Sequence, residues 1–441
     1  MRQRDRVWTY GEFRDHSSAM AHLLLSRLGA VDERRPGHVA MLLENHLELL
    51  SVYGGCGIAG LTLFGVNTGL RGSTLAGVIN HSRSRLLVVD EKFAAEVESV
   101  RDQLDGVAPE NILLLPTGGG GVDAKHDLRA CLAAEAPNPA SHPPLPNVDV
   151  KPEHNLMIIY TSGTTGLPKG INNDHAKLCT AGMMVSALSG IGAGDVAYLS
   201  MPMFHSNAMF VGLMPAFWAC AGVGIRERFS ATRFLADIFD YGATFWTYVG
   251  EPVHYVLAAI EREYGGDEER IAREVTGNPA NLLRYAVGNG ASAPDIDRFS
   301  KWLGLEEMYE LYGSTEAAIS TFRRRGDPRG SVGEITDGAV RILGDDGREK
   351  ENAEIGADGK IVNYDAAVGE ICRVGDDTAL FQGYFDNQDA DRAKYRDGVY
   401  HSGDLGHVLV RDGRRFLFFD GRTDDWIRKD GENFSALQVA R

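Results

Sequence analysis

The chain is poor in cysteine, lacks an excess of basic residues and has no uninterrupted apolar run of membrane-spanning length. Five cysteines in 441 residues (Cys56, Cys131, Cys179, Cys220 and Cys372) are odd in number, scattered and free of any C-x-x-C pair. Zinc-finger spacing and a disulfide framework are therefore absent, and a reducing compartment such as the cytoplasm is expected. Lys and Arg total 45 against 61 Asp and Glu, a net charge of −16. Such a chain is a poor partner for nucleic acid or for anionic lipid. Polyphosphate must then be held locally, by backbone N–H groups, hydroxyls and a metal ion. Met1-Arg-Gln-Arg-Asp-Arg is charged and leads into no apolar core, so no signal peptide is read at the start. The uncharged stretch Ser206–Ile225 is interrupted by Pro215 and by glycines. It reads as a buried helix followed by a core strand rather than as a spanning helix.

Ordinary globular composition, 44% hydrophobic and 24% charged, excludes a disordered chain and a coiled coil. The length suits two or three lobes around large cores. Strands are expected at Val39–Leu43, Leu61–Gly65, Leu86–Val89 and Ile112–Leu115, with helices over Asn45–Ala59 and Lys92–Leu104. This alternation predicts an α/β fold with parallel βαβ units. Thr117–Gly121 reads as a flexible connection, and the six prolines of Ala136–Pro152 as an extended linker. A second α/β region is expected from Leu156, with strands at Met157–Tyr160, Val196–Ser200, Val223–Arg226, Thr244–Tyr248 and Leu283–Val287. From about Ser331, Gly-Asp and Asp-Gly turns predict a smaller β-rich lobe. The expected division is 1–150, 151–330 and 331–420, with 421–441 as a hinge.

Chemistry concentrates first in Tyr160-Thr-Ser-Gly-Thr-Thr-Gly-Leu-Pro-Lys-Gly170. A strand runs into three glycines (Gly163, Gly166 and Gly170), four hydroxyls (Thr161, Ser162, Thr164 and Thr165) and the cation of Lys169. Glycines let successive N–H groups converge on an anion, and the hydroxyls add donors. It is not a Walker loop, because G-x-x-x-x-G-K-[ST] is absent. A Gly/Ser/Thr surface turn is the plainer alternative.

This segment resembles the signature of the adenylate-forming superfamily, which includes acyl-CoA synthetases, firefly luciferase and peptide-synthetase adenylation domains. Further motifs follow in the family's order. Met201-Pro-Met-Phe-His-Ser206 resembles the motif whose histidine, here His205, lies by the acyl carboxylate. Gly288-Asn289-Gly290-Ala291 resembles the adenine-pocket turn. Tyr312-Gly313-Ser314-Thr315-Glu316 resembles the run that supplies a tyrosine near adenine, a threonine near the α-phosphate and a magnesium-binding glutamate. Gly383-Tyr384 resembles the short motif before the ribose aspartate, which Ser402-Gly-Asp404 supplies. Gly421-Arg422-Thr-Asp424-Asp425 resembles the hinge, with Arg422 at the ribose and Asp424 as pivot. Val66–Gly72, Thr247–Glu251, Val287–Gly290 and Lys429–Asn433 bring the resemblance closest to fatty-acid transport proteins and very-long-chain acyl-CoA synthetases.

The resemblance implies ATP, Mg²⁺ and coenzyme A as cofactors and a small-molecule carboxylic acid as substrate. Thr161–Gly166 would hold the β- and γ-phosphates, and Glu316 with Thr161 would bring the metal. Lys169, His205, Thr315 and Glu316 would act in catalysis. Adenylation joins two anions, so position and electrostatics carry the rate. Phe245, Trp246, Tyr248 and Val249 would wall an acyl tunnel, with Gly250 leaving room beside them. That wall suits a fatty or sterol-side-chain acid better than an amino acid. Aromatic residues on such a strand are also ordinary core. The plainer alternative for Ser314 and Thr315 is that they cap a helix starting at Glu316, a reading compatible with the first. Gly288-Asn-Gly-Ala-Ser-Ala293 also fits G-x-G-x-x-A, so a nicotinamide-dependent oxidoreductase is the rival class. Pro294, directly after the motif, speaks against it.

Family members continue for about a further hundred residues, a domain-sized piece. The expectation is therefore an adenylation domain lacking most of its C-terminal domain. Two alternatives stay open: a nucleotide-binding homologue impaired in catalysis, and an acyl-AMP ligase serving a carrier protein. Resemblance to fatty-acid transporters leaves peripheral membrane association open, while the residues themselves predict a soluble protein.

Overall fold

The computed structural model describes residues 1–32, 36–118, 121–135, 143–161, 167–375, 380–422, 426–429 and 432–435. Two compact units form, Met1–Thr247 with Pro279–Leu283, and Tyr248–Asn278 with Arg284–Arg441.

In the first unit a six-stranded sheet runs in the order Ile112–Leu115, Leu86–Asp90, His38–Leu42, Thr62–Gly65, Asn155–Thr161, Lys169–Asp174. The first five strands pair in parallel and the last is antiparallel. Runs such as Leu86-Leu-Val-Val-Asp90 are fully buried, as strands covered on both faces must be. Each buried Leu or Val contributes about 1.5–3 kcal/mol relative to exposure. The first helix, Tyr10–Leu28, starts in a capping box. Thr9 accepts from the Glu12 N–H, and the Glu12 carboxylate accepts from the Thr9 N–H at 2.7 Å.

A second parallel set in this unit pairs Phe245–Val249 with Val196–Leu199, and that strand with Gly222–Ile225. Arg2 joins its edge opposite Gly224. The strand pairing departs from the expected break at residue 150. The hairpin of Asn155–Thr161 and Lys169–Asp174 completes the first sheet, because Leu63, Phe64 and Gly65 pair with Met157, Ile158 and Ile159. The strands on either side of the proline-rich segment, Ile112–Leu115 and Asn155–Thr161, therefore belong to one sheet. Its described part, 143–152, carries no regular element, and Pro143 and Pro144 carbonyls accept from the Ser18 hydroxyl.

The helix expected over Lys92–Leu104 is broken. Only Ala94–Glu98 is α-helical, between 3₁₀ turns at Glu91–Phe93 and Arg101–Gln103. The Ser99 hydroxyl donates back to the Glu96 carbonyl at 2.7 Å, and this local bond competes with helix continuation. Thr117 and Gly118 donate to the Glu91 carboxylate at 2.9 and 2.7 Å; Gly119 and Gly120 lie outside the described residues. Ser206–Ile225 forms the expected helix and strand. Wide π-type turns over Asn207–Leu213 pass into Met214–Trp218, where Pro215 sits in the first turn, and Gly222–Ile225 follows. Among the described residues no helix is long and apolar enough to cross a membrane.

In the second unit Tyr285–Asn289 pairs in parallel with Glu307–Gly313, which pairs antiparallel with Ser320–Arg323. The strand expected at Leu283–Val287 begins two residues later, beyond a turn in which Asn281 accepts from the Leu283 N–H. A β-rich sheet follows in the order Gly333–Glu334, Arg414–Arg422, Val399–Arg411, Gly369–Val374, Val340–Leu343. The strand Val399–Arg411 carries a bulge. Glu370 and Cys372 are two residues apart on one strand, and their partners Leu405 and His401 are four apart on the other. The extra residues are in Ser402–Asp404, and Gly403 takes a φ of 78° there.

Candidate active site

In the second unit, the strand Tyr285–Asn289 delivers Gly288, Asn289 and Gly290 to a turn, and Ser292 caps the helix Ala293–Leu303. The turn is packed backbone against backbone. A Cβ on Gly288 would lie 2.1 Å from the Tyr248 carbonyl oxygen, and one on Gly250 only 1.9 Å from that of Gly290. Gly250 is thus required by this close approach, which corrects its expected role of leaving room for an acyl chain.

Glu310 lies beneath the turn with 5% exposure. Its carboxylate accepts from the N–H groups of Gly290 and Ala291 and from the Tyr248 hydroxyl, the last at 2.5 Å. Burial pushes its pKa up to about 7, and the three donors hold it from going higher.

Two residues along, on the same face, Tyr312 donates from its hydroxyl to Asp404 Oδ2 at 2.8 Å. The Ser402–Asp404 bulge turns Asp404 toward it, and the Ser402 hydroxyl accepts the Asp404 N–H at 3.0 Å. Burial raises the Asp404 pKa, opposed in part by Tyr312 and by Arg422. Arg422 faces Asp404 across the ladder, with Nε 3.6 Å from Oδ1.

Glu316 is 8% exposed and accepts the Tyr384 hydroxyl on Oε1 at 2.6 Å. Burial and this carboxylate keep the Tyr384 phenol neutral. Tyr400 is likewise held neutral by burial and is hydrogen-bonded to Ser314. No helix begins at Glu316. Ser314 and Thr315 enter a tight turn in which the Ala317 N–H donates to the Ser314 carbonyl at 3.0 Å and Ala317 takes a φ of 56°. The alternative capping role is therefore excluded, because the chain reverses after Gly313 to pair Ser320–Arg323 antiparallel.

Three tyrosine hydroxyls thus orient Asp404, Glu316 and Ser314. A neutral phenol fixes a carboxylate without cancelling its charge, which suits an acceptor for ribose hydroxyls and a ligand for a divalent cation. Glu316 fits Mg²⁺ on that ground. The oxidoreductase alternative does not fit. Strand, turn and helix are all present, but Pro294 has no N–H, and Asp295 and Ser292 already occupy the helix terminus, hydrogen-bonded at 2.9 Å.

In the first unit, Thr161 and Lys169 are register partners at the mouth of the hairpin, and the Thr161 hydroxyl donates to the Lys169 carbonyl at 3.4 Å. Tyr160 anchors the stem, bonding His81 Nδ1 at 3.0 Å. Ser162, Gly163, Thr164, Thr165 and Gly166 lie outside the described residues, as does Asp424. His205 opens the helical stretch: its carbonyl accepts from Met209, and its ring lies 4.6 Å from that of Phe204. Burial lowers its pKa and favours the neutral imidazole. Phe245, Trp246 and Tyr248 are fully buried. Trp246 donates to the Ser200 hydroxyl at 3.2 Å and packs edge-on to Phe234, while Tyr248 is committed to Glu310. These three act as core in the structure, in place of the expected tunnel wall. Val249 is half-buried at the strand end.

Sequence reasoning did not select Glu310 or Tyr400, and it placed Tyr384 only in the short motif before the ribose aspartate, with no role of its own. The signal for Glu310 was present: Met308, Glu310 and Tyr312 alternate onto one buried face of Glu307–Gly313.

A family model described as AMP-binding enzyme matches residues 1–385. The chain is 33% identical over 438 residues to medium/long-chain-fatty-acid–CoA ligase FadD17 of Mycobacterium marinum, covering 99% of this chain and 76% of that protein. It is 34% identical over 444 residues to steroid-22-oyl-CoA synthetase of Rhodococcus jostii, covering 100% of this chain and 73% of that protein. The fold resembles the ATP-bound structure of MatB from Rhodopseudomonas palustris, with a TM-score of 0.78 at 21% identity, over 99% of this chain and 78% of that one.

Proposed function

The chain belongs to the AMP-binding enzyme family, and from that premise we propose that it activates an apolar carboxylic acid with ATP and passes the acyl group to coenzyme A. A carboxylate oxygen attacks the α-phosphorus of ATP, and pyrophosphate leaves, giving acyl-AMP. The sulfur of coenzyme A then attacks the acyl carbon, and AMP leaves with the electron pair of the broken C–O bond.

The observation that carries this reading is the tyrosine-held pair of carboxylates in the second unit. Asp404, bonded by Tyr312 and faced by Arg422, accepts the ribose hydroxyls. Glu316, oriented by Tyr384, takes Mg²⁺, which supplies charge neutralisation at the phosphates. The Gly288–Ala291 turn, braced by Glu310, offers the adenine a fixed backbone edge. Thr161 to Gly166 and Lys169 bind the β- and γ-phosphates. Thr315 donates at the α-phosphate, and neutral His205 meets the acyl carboxylate as a hydrogen-bonding partner.

The two curated relatives are named for fatty acids and for a steroid-22-oyl group. Both are apolar bodies ending in one carboxylate, and a substrate of that class is assigned here. The test is acid-dependent ATP–pyrophosphate exchange, followed by thioester formation, over a panel of C6 to C24 acids and a steroid side-chain acid. Exchange and thioester formation with an apolar acid support the reading. Exchange with none of the acids overturns it. Exchange without thioester formation overturns the coenzyme A step and leaves the adenylation.

A further inference from the structure

We propose that Glu370, Cys372 and His401 form a binding site for one zinc-class dication in the β-rich sheet of the second unit. It is independent of the ligase reading and of the Glu316 cation.

The sheet register builds the site. Glu370 and Cys372 are two residues apart on Gly369–Val374 and share a face, and His401 on Val399–Arg411 is the direct partner of Cys372. Glu370 Oε2, Cys372 Sγ and His401 Nδ1 lie within 4.8 Å of one another. A tetrahedral zinc with a Zn–S bond of about 2.3 Å and a Zn–N bond of about 2.0 Å sets sulfur and nitrogen roughly 3.5 Å apart. Here Sγ and Nδ1 are 3.7 Å apart. The corresponding N–O edge is roughly 3.3 Å. Nδ1 and Oε2 stand at 2.7 Å, so the ion needs that pair to open slightly.

The second carboxylate oxygen is already held. Glu370 Oε1 accepts the Gly403 N–H at 2.9 Å, leaving Oε2 aimed at the histidine. Orientation of a ligating carboxylate by an outer hydrogen bond is how metal ligands are usually fixed. Cys372 is fully buried at the base of the site. Glu370 and His401 keep 22% and 20% side-chain exposure, which gives an ion its entry path. A thiolate and a carboxylate balance the charge of a dication; burial and the neighbouring Glu370 carboxylate push the Cys372 thiol up, with Arg396 and Lys394 opposing only in part, so the ion must displace the thiol proton on binding. The sulfur and imidazole select zinc-like ions over magnesium or calcium. Three protein ligands leave a fourth position for water.

One other such cluster occurs among the described residues, His46–Asp90–Glu227. It already contains a cation: Lys92 Nζ stands 3.4 Å from Asp90 and 2.7 Å from Glu227.

The test uses the full chain, freed of metal by a chelator and titrated with Co²⁺ and then with Zn²⁺. One equivalent of Co²⁺ is expected to give a thiolate-to-cobalt charge-transfer absorption that Zn²⁺ abolishes. Cys372→Ser and His401→Gln should each weaken binding at least about a hundredfold, beyond the range typical of outer-shell changes. Cys179→Ser and Cys220→Ser, at exposed thiols, should leave it unchanged. Circular dichroism checks folding; should Cys372→Ser misfold, His401→Gln, on the half-exposed side, decides alone. Absence of the band in the wild-type chain overturns the proposal. So does a band that survives His401→Gln or disappears with Cys179→Ser or Cys220→Ser.

Discussion

Glu310 carries a pH dependence whose sign and size follow from its surroundings. In the folded chain its pKa is pushed up to about 7 by burial, against roughly 4.3 for an unperturbed glutamate. The folded state therefore holds this proton more tightly than the unfolded chain. The group's contribution to stability is greatest below the unfolded value, falls as pH rises, and levels off above about 7. Integrating between the two values gives a loss of about 3 kcal/mol from pH 5 to pH 8. Glu310→Gln retains the shape and one carbonyl acceptor for Gly290 or Ala291, but it does not titrate. Urea unfolding of both proteins at pH 5, 6, 7 and 8, followed by fluorescence and circular dichroism, isolates the residue because other titrations cancel in the difference. The wild-type chain should lose about 3 kcal/mol relative to Glu310→Gln across that range, mostly below pH 7. A difference that stays flat within about 0.5 kcal/mol, or that grows in the opposite direction, would refute the assignment of Glu310 as a buried carboxyl of raised pKa.

Tyr384→Phe removes the hydroxyl held by Glu316 at 2.6 Å. A hydrogen bond to a charged group contributes about 1.5–3 kcal/mol, so kcat should fall at least about tenfold and recover in part at high Mg²⁺; an unchanged kcat at limiting Mg²⁺ would dismiss the orienting role. Asp404→Ala should raise the KM for ATP at least about tenfold with a smaller change in the KM for the acid, and steady-state kinetics in each substrate would expose a reversed pattern. Gly288→Ala drives a Cβ to 2.1 Å from a carbonyl oxygen that cannot swing away. It should cost about 3 kcal/mol or more by thermal unfolding, whereas Gly192→Ala, with nothing within 4 Å of its Cβ, should be nearly neutral.

The alternation of buried strand and amphipathic helix was legible along the first 120 residues because both periods are local. Strands such as Leu86–Asp90 and Ile112–Leu115 are where the apolar runs place them. The helix over 92–104 was misread because the Ser99 bond to Glu96, a local competitor, is invisible to hydrophobic periodicity. Motif order singled out Asp404, Tyr312 and Glu316 as candidates, since the proposed chemistry asks for that residue type at each. It could not say what holds them.

What the sequence by itself determined is the α/β class, most strand positions and the residue types offered to a nucleotide. Tertiary structure alone decided which tyrosine meets which carboxylate: Tyr248 with Glu310, Tyr384 with Glu316 and Tyr312 with Asp404 are 62, 68 and 92 positions apart. The same holds for the assignment of Phe245, Trp246 and Tyr248 to the core and of Gly250 to a backbone contact with Gly290. The physical reason is range. Strand and helix patterns repeat over two to four residues, whereas a buried carboxylate needs donors wherever packing brings them, and one extra pair of residues in a bulge re-aims an aspartate without any periodic signal.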